Sequence, residues 1–250
     1  LITIEGFKED DMAKPILDLH CHTVESGHAY STVKENIEIA SSKGIKFLGV
    51  SDHAPNMPGG GHPFYFQNMY VIPRDGNGVK VLRGIEANII NFDGDIDVSD
   101  DIVKGTDYII ASFHMPCISP GDIKQNTKSI LKVMDHEKVK IIGHPDDSQF
   151  PIDYKEIVKY AKEKNVLLEV NNSSMNPNSY RQRARENGAV MLELCKEYGT
   201  RIILGSDAHI CYSVGDFSNA LDILKEVDFP DELVINYNED EIIKFFGVDF

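Results

Sequence analysis

Two histidines one residue apart, in Asp18-Leu19-His20-Cys21-His22-Thr23, are the first residues along this chain with a chemistry to offer. On an extended strand, residues i and i+2 face the same side, so His20 and His22 can present both imidazoles to one ion. Neutral imidazole suits zinc, manganese or iron. Cys21 points the other way and reads as a small packed residue. Ser51-Asp52-His53, Ser112-Phe113-His114 and Gly143-His144-Pro145 each set a histidine behind an apolar run. In Gly84–Asn88, Glu86 is a lone carboxylate in an apolar stretch. Burying an unpaired charge is costly, so Glu86 demands a cation, and a metal answers that demand here. Gly205-Ser206-Asp207-Ala208-His209 ends the series, with Asp207 and His209 read as sharing a face by the same i, i+2 rule. Each motif alone has an ordinary reading, because a single HxH recurs by chance and a strand-end histidine is commonly a hydrogen-bonded surface residue. Together they form a metal cage whose chemistry is the activation of water. Two histidines serve as controls. His136 sits among the helical charges of Lys132–Lys138 and reads as a surface residue. His62, in the glycine-rich stretch Pro58–Pro63, is a loop residue and a candidate for substrate contact. Those glycines suggest a mobile rim loop and not a P-loop, since no GxxxxGK[ST] follows.

Residues so far apart need elements that bring them together. β-rich apolar runs occur at Ile16–His20, Phe47–His53, Val79–Asn88, Tyr108–His114, Lys140–His144, Val166–Asn171 and Arg201–His209. Several are nearly continuous, as for strands buried on both faces of a parallel sheet. Amphipathic stretches of helical period lie between them, at Val33–Lys43, Ile123–His136, Tyr154–Lys164, Gly188–Tyr198 and Phe217–Val227. Alternation of this kind predicts parallel βα units with right-handed crossovers. His20, His53, Glu86, His114, His144, Asn171 and Asp207 all stand at or near the C-terminal ends of these runs. A closed or nearly closed barrel delivers every strand end to one mouth, whereas an open sheet concentrates ligands at one switch point. The pattern therefore predicts a barrel.

Composition narrows the function. The 250 residues are 42% hydrophobic and 26% charged, enough for a packed core. Twenty-five basic against forty acidic residues leave a net charge of −15, with a pI near 4.9. That balance argues against a nucleic acid duplex or an anionic membrane as partner, and suits bound cations. No apolar run approaches the roughly 18 residues of a membrane span. Leu1–Asp11 lack the basic start and apolar stretch of a signal peptide. Four cysteines without a CxxC pair point to a reducing cytoplasm. We read Met12 as the natural start, residues 1–11 as a cloning remnant or short extension, and residues 12–250 as one domain.

The ordered motifs DLHCHT, SGHA, SDHA, GIEAN, SFH, GHP, EVNNSS and GSDAH, running from Asp18 to His209, resemble the PHP (polymerase and histidinol phosphatase) family. The spacing is most similar to its short, single-domain bacterial phosphatases. The resemblance implies a distorted seven-stranded (β/α)7 barrel with three divalent ions in one cleft, zinc foremost and manganese or iron as alternatives. Carried over by motif, one ion takes His20, His22, Glu86 and Asp207. A second shares bridging Glu86 and adds His114 and His144. The third takes His28, from Ser26–Ala29, with His53 and His209. The implied reaction is hydrolysis of a small phosphate monoester by an activated water, without a phosphoenzyme. Glu86 and Asp207 are the catalytic candidates, Asp207 as ligand and proton acceptor. Arg181, Arg183 and Arg185 follow Asn171–Ser174 and could hold phosphate bidentately. Alternating arginines cannot all point one way, so one contact is expected, with Arg181, Arg183 and His62 as the candidates. Asn171 and Asn172 order the loop or pack. The alternatives are a dedicated histidinol-phosphate phosphatase, selective through rim loops such as Asn56–Met69, and a non-catalytic metal-binding interaction module. An amidohydrolase barrel also begins with HxH, but Glu86 and the later motifs fit it less well. The oligomeric state is open.

Overall fold

A computed structural model describes residues 14–248, so the reading of Met12 and of residues 1–11 lies outside the described residues. The strands are β1 (Leu17–Asp18), β2 (Phe47–Val50), β3 (Asp75–Gly76), β4 (Val79–Asn88), β5 (Tyr108–Ser112), β6 (Val139–Ile142), β7 (Leu167–Asn171) and β8 (Ile202–Gly205). Seven of them pair in parallel in the order β1-β2-β4-β5-β6-β7-β8, and short β3 pairs antiparallel with β4. The helices are α1 (Val33–Lys43), α2 (Pro63–Gln67), α3 (Asp100–Val103), α4 (Ile123–Val133), α5 (Tyr154–Lys164), α6 (Ala184–Tyr198), α7 (Ser218–Glu226) and α8 (Glu239–Phe246). Local chemistry sets their ends. Thr32 and Glu35 form a reciprocal capping box on α1, Asp122 and Gln125 another on α4, and Gly44 closes α1 with φ 80°. No helix among the described residues is long and apolar enough to cross a membrane.

The barrel nearly closes. β1 and β8 meet beyond their named ends through a parallel bridge between Cys21 and Ala208, with His22 N–H donating to Ala208 O at 2.9 Å. Lower down, the buried Asn236 side chain fills the seam. Its Nδ2 donates to Leu17 O (2.8 Å) and Leu204 O (2.9 Å), and its Oδ1 accepts from Leu204 N–H at 2.8 Å. A side-chain amide thus stands in for missing ladder bonds, as buried backbone groups require.

Two apolar clusters follow from strand alternation. Leu48, Val50, Ile85, Ile109, Leu168 and Leu204 face outward against helix residues such as Ile37, Ile130, Ile157 and Leu192. Leu17, Leu19, Phe47, Leu82, Tyr108, Ile110, Ile141, Leu167 and Ile203 fill the barrel, with Ile242 and Phe246 of α8 packed against them. Tyr108 donates to Leu19 O at 2.6 Å; its hydroxyl occupies the space a Cβ would take at Gly49, and its ring that at Gly84. Along each strand the inward positions turn from apolar to polar toward the C-terminal end. Examples are Leu82-Gly84-Glu86-Asn88, Leu167-Glu169-Asn171 and Ile110-Ser112. That gradient puts an oil-filled base under a polar mouth.

The strands are shorter than the apolar runs suggest, and the polar residues mostly lie just past them. Two expectations change as a result. Asp207 has φ 55°, so the Asp207–His209 stretch departs from strand geometry and the i, i+2 rule does not govern it, although the two side chains still meet, with Asp207 Oδ1 3.6 Å from His209 Nδ1. The glycine-rich segment after β2 is packed at its start. Gly61 N–H donates to His53 O at 2.9 Å, and Gly27 abuts Gly59 so closely that a Cβ would lie 2.7 Å from Gly59 O.

Candidate metal centre

Glu86 stands at the middle of the mouth, fully buried near the end of β4. Its Oε1 lies 3.3 Å from His20 Nε2, 3.3 Å from His114 Nε2 and 3.1 Å from His144 Nε2. Its Oε2 lies 2.7 Å from His53 Nδ1 and 3.5 Å from His22 Nε2. Asp207 Oδ1 faces the same group from just past β8, 3.5 Å from His20 Nε2, 3.3 Å from His22 Nε2 and 3.6 Å from His209 Nδ1. Beyond them His209 Nε2 lies 3.0 Å from His28 Nε2, and His28 is exposed. The ladder explains the convergence, because Glu86 N–H bonds Asp52 O and Ala54 N–H bonds Glu86 O, extending the β2–β4 pairing to bring His53 beside Glu86. Ligand atoms approach within 4.8 Å in three groupings: His20, His22 and Asp207; His53, Glu86 and His114; His22, His53 and His209.

These residues fit divalent ions. His20 Nε2, His22 Nε2, His53 Nδ1, His114 Nε2 and Glu86 Oε2 are buried without a hydrogen-bond partner. Each unmet group costs about 1–3 kcal/mol, which a shared cation offsets. The far ring nitrogens, in contrast, are held. His20 Nδ1 meets Glu169 Oε1 at 2.7 Å and His114 Nδ1 meets Asn88 Oδ1 at 2.7 Å. Asn88 is oriented by its Nδ2 donating to Asp97 Oδ2 at 2.6 Å, so Oδ1 must be the acceptor toward His114. His22 Nδ1 meets Ser26 Oγ at 3.1 Å, whose own proton goes to Asp52 Oδ1 at 2.6 Å. An acceptor on each Nδ1 keeps a proton there, so Nε2 is the nitrogen turned inward and offers the lone pair a metal binds once it carries no proton of its own.

Electrostatics agree with this arrangement. Burial opposes a charge on Glu86, yet His20, His53 and His114 hold its carboxyl well below the ordinary range. Burial is likewise overcome at Asp207 by His20, by the close approach of His22 and by Arg181. At His20 burial is outweighed by Glu169, Glu86 and Asp207, which raise its proton affinity well above normal. Burial, with His53 beside it, pushes His22 well below normal, and burial takes His114 down to about 4 against the pull of Glu86. The centre therefore offers ionised carboxylates at Glu86 and Asp207 and neutral imidazoles at His22 and His114.

Comparison with known proteins decides the family. The PHP domain family model matches residues 18–232. The chain belongs to the PHP domain family. Among PHP relatives, a protein of Clostridium novyi named a probable phosphatase is 47% identical over 232 residues, covering 93% of this chain and 94% of that one. Among solved structures, the histidinol phosphate phosphatase of Lactococcus lactis, complexed with zinc, L-histidinol and phosphate, superposes with a TM-score of 0.60 at 19% identity. It covers 86% of this chain and 95% of that one. A chain of an archaeal ribonuclease P solved with mature tRNA superposes with a TM-score of 0.57 at 15% identity, covering 92% and 90%. These two structures speak to the fold alone, and they agree with the PHP barrel described above.

The PHP mouth opens into a cavity of about 430 Å³ lined by His28, His53, His114, Asp207 and His209 on the cage side. Arg181 lines it too. Buried, it donates through Nη1 to Asp207 Oδ2 (3.1 Å) and Ser174 Oγ (3.1 Å), and stands 3.5 Å from Asn171 Oδ1. The alternation of the arginines separates them as expected. Arg183 is exposed, holds φ 58° before α6 and pairs with Glu186, while Arg185 pairs with Glu226. Neither lines the cavity, and nor does His62, which is exposed and caps α2 by accepting Phe64 N–H at 3.2 Å. His136 is half-buried, away from the mouth, and accepts from Lys138 N–H.

Sequence reasoning passed over three residues that hold the candidate ligands in place. Glu169, buried inside β7, binds His20 through Oε1 and His144 N–H through Oε2 at 2.8 Å. The signal was present, since Glu169 is a lone carboxylate in an apolar run, as Glu86 is. Asp52 collects Thr23 N–H (2.7 Å), Thr23 Oγ1 (2.8 Å), Ser26 Oγ (2.6 Å) and Tyr65 OH (2.6 Å), anchoring the loop that carries His22 and His28. Asn88 orients His114 as described. Partners of Asp52 and Asn88 come from distant segments, so no local spacing announces them.

Proposed function

We propose that this chain is a metal-dependent phosphatase that hydrolyses small phosphate monoesters, with three divalent ions held by His20, His22, His28, His53, Glu86, His114, His144, Asp207 and His209. Zinc is the first choice, with manganese or iron as alternatives, because mixed imidazole and carboxylate sets accept all three. The observation that carries the reading is that the inward imidazole nitrogens of His20, His22, His53 and His114 around buried Glu86 have no hydrogen-bond partner, while the opposite nitrogens of His20, His22 and His114 are anchored. Phosphatase names among relatives that match nearly the whole chain support the reaction class.

Bound ions supply a water nucleophilic at neutral pH and counter-charge for the phosphoryl oxygens. The chain's own residues do the rest. Glu86 offers an oxygen to each side of the cage and so suits a bridging position. Asp207 turns Oδ1 to the imidazoles and Oδ2 to Arg181, coupling the cage to a guanidinium that can fork onto phosphate. We assign Asp207 as acceptor of the proton lost when water attacks phosphorus. The bond to the ester oxygen then breaks, and the alcohol leaves with that proton. The cavity volume and the net charge of −15 favour a small ester over a nucleic acid duplex.

Replacing His20 or Glu86 with Ala is expected to abolish phosphate release from p-nitrophenyl phosphate while the circular dichroism of the fold persists. Full turnover in either variant refutes the proposal.

A further inference from the structure

We infer that the outer wall of the cavity selects esters whose alcohol portion carries hydroxyl groups and no second anion, with Asp216 as the specificity-determining residue. The inference rests on the phosphatase reading and concerns the half of the cavity lining that lies outside the cage residues. That half comes from the segments after β7 and β8, including Asn172, Tyr180, Ser213, Asp216 and Asn219. Among the described residues Arg181 is the single lysine or arginine lining the cavity, and its Nη1 already serves Asp207 and Ser174. Among the described residues this part of the wall therefore holds no lysine or arginine to receive a carboxylate or a second phosphate. It holds an anion instead.

Asp216 accepts Ser218 N–H through Oδ1 at 3.0 Å, which orients the carboxylate, and among the described residues no hydrogen bond engages Oδ2. Asn172 is buried and its orientation is set in the same way. Its Oδ1 accepts the N–H groups of Asn219 (2.9 Å) and Ala220 (3.1 Å), so Nδ2 is the donor left over. The wall thus presents a carboxylate acceptor and an amide donor. A hydroxyl donates and accepts with one atom and can satisfy both, whereas a second anion meets Asp216 as a like charge.

The test compares glycerol 3-phosphate with 3-phosphoglycerate, in which a carboxylate replaces the terminal hydroxymethyl group. It uses the metal-loaded full chain and its Asp216→Asn variant, with metal content checked in both. The wild type is expected to favour glycerol 3-phosphate in kcat/KM by at least about tenfold. Asp216→Asn keeps the acceptor for Ser218 and is expected to narrow that ratio severalfold by raising turnover of 3-phosphoglycerate. Equal kcat/KM for the two esters, or a ratio unmoved in the variant, overturns the inference. Release of no phosphate from these esters or from p-nitrophenyl phosphate refutes the phosphatase reading itself.

Discussion

Glu169→Gln is the substitution that most sharply tests how the centre is built. Glu169 accepts on both sides, from His20 Nδ1 at 2.7 Å through Oε1, and from His144 N–H at 2.8 Å and Asn171 Nδ2 at 3.1 Å through Oε2. Glutamine has the same shape but only one carbonyl oxygen. If that oxygen serves His144 and Asn171, the amide group faces His20 and forces Nδ1 to accept, which moves the ring proton to Nε2 and blocks the lone pair that faces Glu86. If the amide is turned the other way, two donors meet a third inside a site that is 1% exposed. Either arrangement disables His20 or strands buried donors. Losing such a support typically costs 10–100-fold in metal affinity, or about 1.4–2.8 kcal/mol. Chelator competition on metal-loaded protein measures this directly, with turnover at limiting metal falling in parallel. Gly205→Ala offers an independent route, because a Cβ at Gly205 would overlap Glu169 Oε1 and displace the carboxylate without altering its charge. Wild-type affinity and stoichiometry in Glu169→Gln would show that the His20 tautomer is set by something other than Glu169.

Three further outcomes follow from the same geometry. Metal uptake is expected to release about one proton near neutral pH, because His20 holds its proton more tightly than usual and must give up the one on Nε2. Its raised affinity stabilises the metal-free fold below the ordinary histidine pKa, and that contribution is lost as pH rises through the folded value, so metal affinity climbs over the same interval. Calorimetry in buffers of different ionisation enthalpy counts the protons, and a pH-independent affinity contradicts the assignment. Asn236→Ala removes three buried bonds across the β1–β8 seam and is expected to cost about 3–5 kcal/mol, a fall of roughly 10 °C or more in Tm. A shift under 2 °C would mean the seam does not need its amide. Ser26→Ala strips the acceptor from His22 Nδ1 and from His53 N–H, and is expected to weaken metal binding by about tenfold or more with little change in circular dichroism.

How much of this could be read in advance depends on how local each signal is. α1 and α5 run over the stretches predicted for them, since periodicity and caps such as Thr32 and Asp153 are written within one turn. β4 likewise matches its apolar run from Val79 to Asn88. The runs of β1, β2, β5, β6 and β8 overshoot their strands at the polar end, because a ladder stops where neighbouring strands diverge, and that is a tertiary fact. α2, α3 and α8 are short, and α8 earns its place by capping the barrel with Ile242 and Phe246, a contact no window on the sequence contains. The β1–β8 seam was illegible for the same reason, since Asn236 lies 219 positions from Leu17.

The centre itself was legible for a physical reason that also explains what was missed. A barrel strand alternates between inside and outside, and its inside positions pass from the packed base to the wet mouth within a few residues. A charged side chain at an inward position near the mouth is therefore either a ligand or a support for one. Glu86 and Glu169 satisfy the same rule on β4 and β7, and the sequence does not rank them. What separates them is height in the barrel and the partner each finds. Glu86 meets inward-facing imidazole nitrogens that nothing else satisfies, while Glu169 meets a ring N–H, a backbone N–H and an amide, all donors with protons to give. A carboxylate surrounded by lone pairs calls for a cation, and one surrounded by N–H groups is already paired. The distinction between ligand and support thus rests on the protonation of the facing nitrogens, which is why exchanging one Glu169 oxygen for an amide is expected to reach the ions without touching a ligand.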